Sequence, residues 1–243
     1  MCELCFEPSQ RGAVARRHVL KLATAAVGLA FAGGAIAAPV KTPPKPENAI
    51  APDAALDRLM KGNSRYVEGV SRRHDFRHER EPLSKGQNPY AAVLSCADSR
   101  IAPEFCFDTA RGDVFVCRVA GNFANDDVVA SLEYAVSVLN TPLIVVLGHD
   151  ACGAVDATIK SLKDGTTLPG HLPSLVAAIS PAVKAAQGEP GDLLANAIRQ
   201  NVALTVDKVK AATPILKAAV DDNKIKVVGG VYKLASGHVE LLR

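Results

Sequence analysis

Five residues in two short segments carry the types and spacing that could do chemistry: Cys96, Asp98 and Arg100 in one, His149 and Cys152 in the other. Two thiolates and an imidazole make a soft donor set that suits zinc. Their charges also cancel those of the dication. A closed structural site would need a fourth Cys or His, and no second C-x-x-C or H-x-x-H accompanies these three. Three ligands leave one coordination position for a reactive water, so the pattern predicts a catalytic Zn2+ site. Asp98 stands two residues past Cys96, and Arg100 two further on. A bidentate Asp98–Arg100 pair would hold the carboxylate off the metal. So held, Asp98 accepts a hydrogen bond from a metal-bound hydroxide and aims it at a carbon electrophile. If the pair breaks, Asp98 closes the site as a fourth ligand.

Such a site needs two strand ends side by side, and the surrounding sequence supplies them. Tyr90–Ser95, Val114–Val119, Pro142–Leu147 and Lys226–Val231 are short apolar runs that read as buried strands. Helical patterns cover 53–68, 126–139, 154–162, 173–187, 192–212 and 214–220, with Asp53 as the cap of the first. Strands alternating with helices predict an α/β fold: a mainly parallel four-stranded sheet with helices on both faces. The tail His238–Leu242 adds an antiparallel edge strand through the Ala235–Gly237 turn. The first strand then ends at Cys96 and the third at His149. Ligands collect at such carboxyl ends. Cys152 is expected to open a helix, where free backbone N–H groups favour a thiolate.

The 243 residues carry a net charge of only +3, which gives no basic footprint for nucleic acid. The cluster from Arg72 to Glu81 interleaves both signs and reads as a solvated or interface arm. Residues 1–37 have the layout of a twin-arginine-like signal peptide: Arg16-Arg17, an apolar stretch from Leu22, and Ala35-Ile36-Ala37 as cut site. That address predicts export to a bacterial periplasm, with the membrane met only in transit; an uncleaved anchor is the alternative. A Pro-rich linker over 38–52 leads to one catalytic domain over 53–243. Cys2 and Cys5 precede the signal and are assigned no function. Cys106 and Cys117 read as small apolar core residues, with a disulfide between them left open.

The motifs C-x-D-x-R and H-x-x-C, the latter flanked by Gly, resemble those of the β-class carbonic anhydrases. So do Gly62–Tyr66, Gln87-Asn88-Pro89, Arg118–Asn122, Ser131–Val136 and Gly229–Tyr232. The resemblance implies reversible hydration of carbon dioxide to bicarbonate and a proton, by attack of zinc-bound hydroxide. It implies zinc on Cys96, His149 and Cys152 beside the Asp98–Arg100 pair, and Gln87 as a hydrogen-bonding partner of bicarbonate. Phe115, Ala120 and Tyr134 fall at pocket-wall positions, some reaching in from a partner subunit, and Gly153 offers a backbone N–H. A homodimer or higher homo-oligomer is implied as well. Some members carry an inhibitory bicarbonate site that uses a Trp where Val93 stands; Arg118 and Tyr232 match its other positions, and that regulation is not expected here. Two readings from other classes stand beside this one. They are a zinc hydrolase acting on carbonyl sulfide or carbon disulfide, and a non-catalytic zinc- or bicarbonate-binding protein.

Overall fold

The computed structural model describes residues 50–242. The expected signal over 1–37 and all but the end of the linker lie outside the described residues. Five strands form one sheet in the order β2-β1-β3-β4-β5: β1 (Ala91–Ser95), β2 (Val114–Arg118), β3 (Leu143–His149), β4 (Lys226–Tyr232) and β5 (Val239–Leu241). The first four are parallel, and β5 runs antiparallel to β4. This is the architecture read from the sequence. Strands β1 and β3 are buried at every position, as expected of parallel strands covered on both faces.

The two faces divide by the alternation of side chains along each strand. Ala92, Leu94, Ile144 and Val146 point to one layer, built with α4 (Asp126–Ser137), α5 (Gly153–Asp164), α6 (Leu172–Ala186), α7 (Leu193–Ala211) and α8 (Ile215–Asp221). Ala91, Val93, Leu143 and Val145 point to the other, where Ala55 and Leu59 of α1 (Pro52–Val67) and Phe107 pack. Buried Asn63 ties this second layer together. Its Nδ2 donates to the carbonyls of Cys106 (2.9 Å) and Gly237 (2.8 Å), and its Oδ1 accepts from the Val239 amide (2.9 Å).

One local expectation is corrected, and two short helices are added. Asp53 does not cap α1: the N-cap is Ala51, with no side-chain bond, and Pro52 opens the helix with its pre-set φ. Asp53 instead sits in the first turn and pairs with Lys226 at 2.6 Å. The arm after α1 contains a short helix, α2 (Arg80–Leu83), and a second one, α3 (Pro103–Cys106), follows β1; four residues are too few to show a period. At α4 and α7 the caps are as the residue types dictate. Asn125 accepts from Val128 N to start α4, and Asp192 accepts from Ala195 N to start α7.

The arm is anchored by Asp108. Its carboxylate accepts from Arg65 Nε (2.6 Å), Ser71 Oγ (2.9 Å) and Arg72 N (3.1 Å). Burial alone would raise this carboxyl, but these donors, Arg65 foremost, hold it below its ordinary range. Among the described residues no helix is long and apolar enough to cross a membrane.

Candidate metal centre

β1 and β3 are neighbours, with Ser95 in register with Leu147, so the residues that end them meet. Cys96 follows β1 directly, His149 is the last residue of β3, and Cys152 is the N-cap of α5. Their ligand atoms all lie within 4.8 Å of one another, and all three side chains are buried. The structure thus brings together the three predicted ligands, across 56 positions of sequence.

His149 supplies the test of whether a metal fits. Its Nδ1 lies 2.8 Å from the Asp150 carbonyl, which can only accept, so Nδ1 carries the proton. Nε2 is then a bare acceptor, fully buried, that no N–H or O–H donor reaches and that has only the Cys96 sulfur and the Asp98 carboxylate nearby. An orphaned buried acceptor costs about 1–3 kcal/mol. Facing two thiols, that lone pair is what zinc would take up, and the carbonyl bond behind it is the usual brace of a metal-ligating histidine.

The turn that joins His149 to Cys152 is tight. Ala151 adopts φ +51°, a conformation that costs a non-glycine residue about 1–2 kcal/mol. Asp150 holds the turn in place: its amide donates to Tyr232 O (3.1 Å) and its Oδ1 accepts from Leu234 N (2.9 Å). On the other side, Gly121 N donates to Cys96 Sγ at 3.3 Å. The Cys152 thiol hydrogen-bonds the Cys96 sulfur, and with the His149 ring and the Gly121 amide this carries Cys96 well below the ordinary thiol range despite burial. Cys152 is pushed up by the same bond and by burial. The pair shares one negative charge, and a metal would displace the remaining proton.

Asp98 and Arg100 form the expected bidentate pair. Arg100 Nε donates to Oδ1 at 2.9 Å and Nη2 to Oδ2 at 2.7 Å, while the Arg100 amide adds a third bond at 2.9 Å. The Arg100 guanidinium holds Asp98 far below the usual carboxylate range. Asp98 Oδ2 lies 3.8 Å from His149 Nε2, so the carboxylate borders the centre. The loop carrying both is clamped by Arg118, which donates to the carbonyls of Cys96 (3.0 Å), Asp98 (2.7 Å) and Ile101 (2.8 Å). Tyr232 OH lies 3.1 Å from Tyr66 OH.

The other candidate residues are spread more widely in the single chain. Ala120 is half-buried in the turn ahead of Gly121, and Gly153 is exposed at the start of α5. Phe115 of β2 and Tyr134 of α4 face each other with ring centroids 6.3 Å apart, and Tyr134 is 48% exposed. Gln87 is exposed in the segment leading to β1. Cys106 and Cys117 are free, and they lie in different core layers. The roles of Asp150, Gly121 and the Arg118 clamp were not read from the sequence. A Gly and an Arg inside a family-like stretch were the available signal; their partners lie across the fold.

Residues 91–239 match the carbonic anhydrase family. The chain belongs to the β-carbonic anhydrase family. It is 37% identical over 191 residues to carbonic anhydrase 2 of Mycobacterium tuberculosis, covering 78% of this chain and 92% of that protein. It is 38% identical to the carbonic anhydrase of Mycolicibacterium smegmatis over the same length, covering 78% and 93%. Among solved structures it resembles the β-carbonic anhydrase CcaA, with TM-score 0.59 and 28% identity over 76% of this chain and 86% of that one. A Coccomyxa β-carbonic anhydrase in complex with acetazolamide gives TM-score 0.58 and 27% identity over 78% and 82%. The chain is therefore an enzyme of the β-carbonic anhydrase family, with a cysteine–histidine–cysteine set positioned for the family's metal.

Proposed function

We propose that this enzyme reversibly hydrates carbon dioxide to bicarbonate and a proton, with zinc on Cys96, His149 and Cys152. The observation that carries the reading is the fully buried His149 Nε2, reached by no N–H or O–H donor, beside two thiols and an Arg-held carboxylate. Zinc held there supplies Lewis acidity that makes water a nucleophile near neutral pH. Cys96 and Cys152 contribute the two negative charges, and the Asp150 carbonyl, by holding the proton on Nδ1, keeps Nε2 aimed at the centre. Arg100 keeps Asp98 ionised and turned aside, so that its carboxylate accepts a hydrogen bond from the attacking water. That bond points the oxygen lone pair at the carbon of the gas.

In this reading Gln87, Phe115, Ala120, Tyr134 and Gly153 form the substrate pocket, completed in a homodimer. Support comes from exposed apolar surface and an unfinished sheet. Phe76, Phe105 and Tyr134 are 56%, 73% and 48% exposed, and β2 ends the sheet with Phe115 upon it. We also propose export on the twin-arginine-like segment, supported by Arg16-Arg17 ahead of the apolar stretch. Replacing both arginines by Lys should leave uncleaved precursor in the cytoplasm on immunoblots of fractionated cells; unchanged secretion would remove that route.

Stopped-flow hydration on the full chain tests the main reading, with carbonyl sulfide and carbon disulfide assayed in parallel. Turnover of carbon dioxide above either sulfur analogue is expected. Faster turnover of an analogue would reassign the substrate, and a rate no greater than buffer would make the chain a binding protein.

A further inference from the structure

Helix α7 packs Val202 directly over two strand residues that lack side chains. A Cβ on Gly148 would meet Val202 Cγ2 at 2.6 Å, and one on Gly229 would meet Val202 Cγ1 at 2.7 Å. The next residue along the helix, Asn201, is polar yet only 3% exposed. Its Nδ2 donates to the Gly121 carbonyl at 2.7 Å, across 80 positions of sequence. Gly121 is the residue whose amide donates to Cys96 Sγ. It sits at φ +83° with Ile179 Cδ1 2.5 Å from where a Cβ would be, so any other residue there would be strained and would have to displace Ile179. A glycine has no side chain to hold its own conformation. Its orientation must be imposed from outside, and Asn201 is the group that grips it.

We infer that Asn201 is a positioning residue for the metal centre: by holding the Gly121 carbonyl, it keeps the Gly121 amide on the Cys96 sulfur. An N–H on a ligating thiolate draws charge off the sulfur and fixes its place. Partners of this kind, which touch a ligand rather than the metal, tune affinity by about 10–100-fold. The bland reading is a core asparagine that satisfies a turn carbonyl and does nothing further. The two differ in what the sulfur feels when the amide side chain is removed. The inference rests on zinc being held by Cys96, His149 and Cys152, so its test must separate the two failures.

The full chain would be compared with Asn201→Leu, which keeps volume but removes the donor, and with Val202→Ala, which loosens the same helix contact and spares the amide. Two quantities are read: zinc release to an excess of chromophoric chelator, and the sulfur-to-metal charge-transfer band after cobalt substitution. Asn201→Leu should release zinc about tenfold faster and move the band to longer wavelength, because a sulfur without its N–H is a better electron donor. Val202→Ala should leave both near wild type. Asn201→Ser, too short to reach Gly121, is the second variant where the leucine protein does not fold. Wild-type release and an unmoved band in the Asn201 variants would overturn the inference, as would equal shifts in Val202→Ala. A wild-type chain that takes up no metal would overturn the zinc reading itself, and this one with it.

Discussion

Four buried cysteines occupy the described core, and they fall into two chemical classes. Cys96 and Cys152 lie at strand and helix tips, while Cys106 and Cys117 lie in the layers on either face of the sheet. Burial is nearly the same for all four, and it raises Cys106 to about 11 and pushes Cys117 up; in the other pair Cys96 is carried down, while Cys152, which keeps the shared proton, is pushed up. The difference is donors. Cys96 has the Cys152 thiol and the Gly121 amide directed at it, with the turn of His149 beside it; for Cys106 and Cys117 desolvation outweighs every other influence. Burial by itself makes a thiol inert, and only the polar groups that end a parallel strand turn it into a ligand.

The sharpest way to break that contrast is to exchange the classes. Cys96→Ser or His149→Ala should remove bound zinc and return hydration to the buffer rate, while Cys117→Ser keeps both. Metal content by mass spectrometry and stopped-flow rates check this, and normal zinc in the first two variants would refute the ligand set. Next in size, Asp98→Ala should retain zinc and lose turnover on the order of 100-fold, because the attacking water is no longer aimed. Full activity would remove Asp98 from the mechanism. In metal-free protein, ultraviolet thiolate absorbance followed as pH rises should show Cys96 ionised first, below the ordinary thiol range. Cys106 should follow only near pH 11. With Cys2 and Cys5 replaced by Ser, a single transition at ordinary thiol pH for the remaining four would erase the distinction.

A smaller effect is expected where charge serves structure rather than metal. Asp108→Asn should lower stability at neutral pH by about 2 kcal/mol, since charge-assisted bonds from Arg65, Ser71 and Arg72 are weakened. The Asp108 carboxyl is lowered in the fold, so its contribution is present above the ordinary carboxylate range. It is lost as pH falls through the folded value. Urea melts of the two proteins should therefore converge in acid; a constant gap would assign the effect to packing. Cys106→Ala should cost least, about 1 kcal/mol, with zinc content unchanged.

The parallel sheet was legible because each strand is a continuous apolar run closed by turn residues, and Ala91–Ser95 and Leu143–His149 are buried throughout. The metal ligands were legible because Cys and His stand at the ends of those runs. What could not be read is whatever depends on distance across the fold. Asn63 looks like any polar residue of an amphipathic helix, yet it bonds three backbone groups of two other segments. Asn201 gave a faint signal, a polar residue on the core-facing stripe with Ile198 and Val202, but its partner Gly121 is 80 positions away. The short helix Pro103–Cys106 and the start at Pro52 turned on single-turn geometry, where competing caps and prolines look alike in sequence.

The central assertion is that sulfur, nitrogen and sulfur from two adjacent strand ends share one zinc ion. X-ray absorption at the zinc edge of the purified full chain addresses it directly. Two sulfur neighbours at about 2.3 Å and two lighter neighbours at about 2.0 Å are predicted, with one sulfur lost in Cys152→Ser. A shell of four sulfurs, or of nitrogen and oxygen alone, would contradict it.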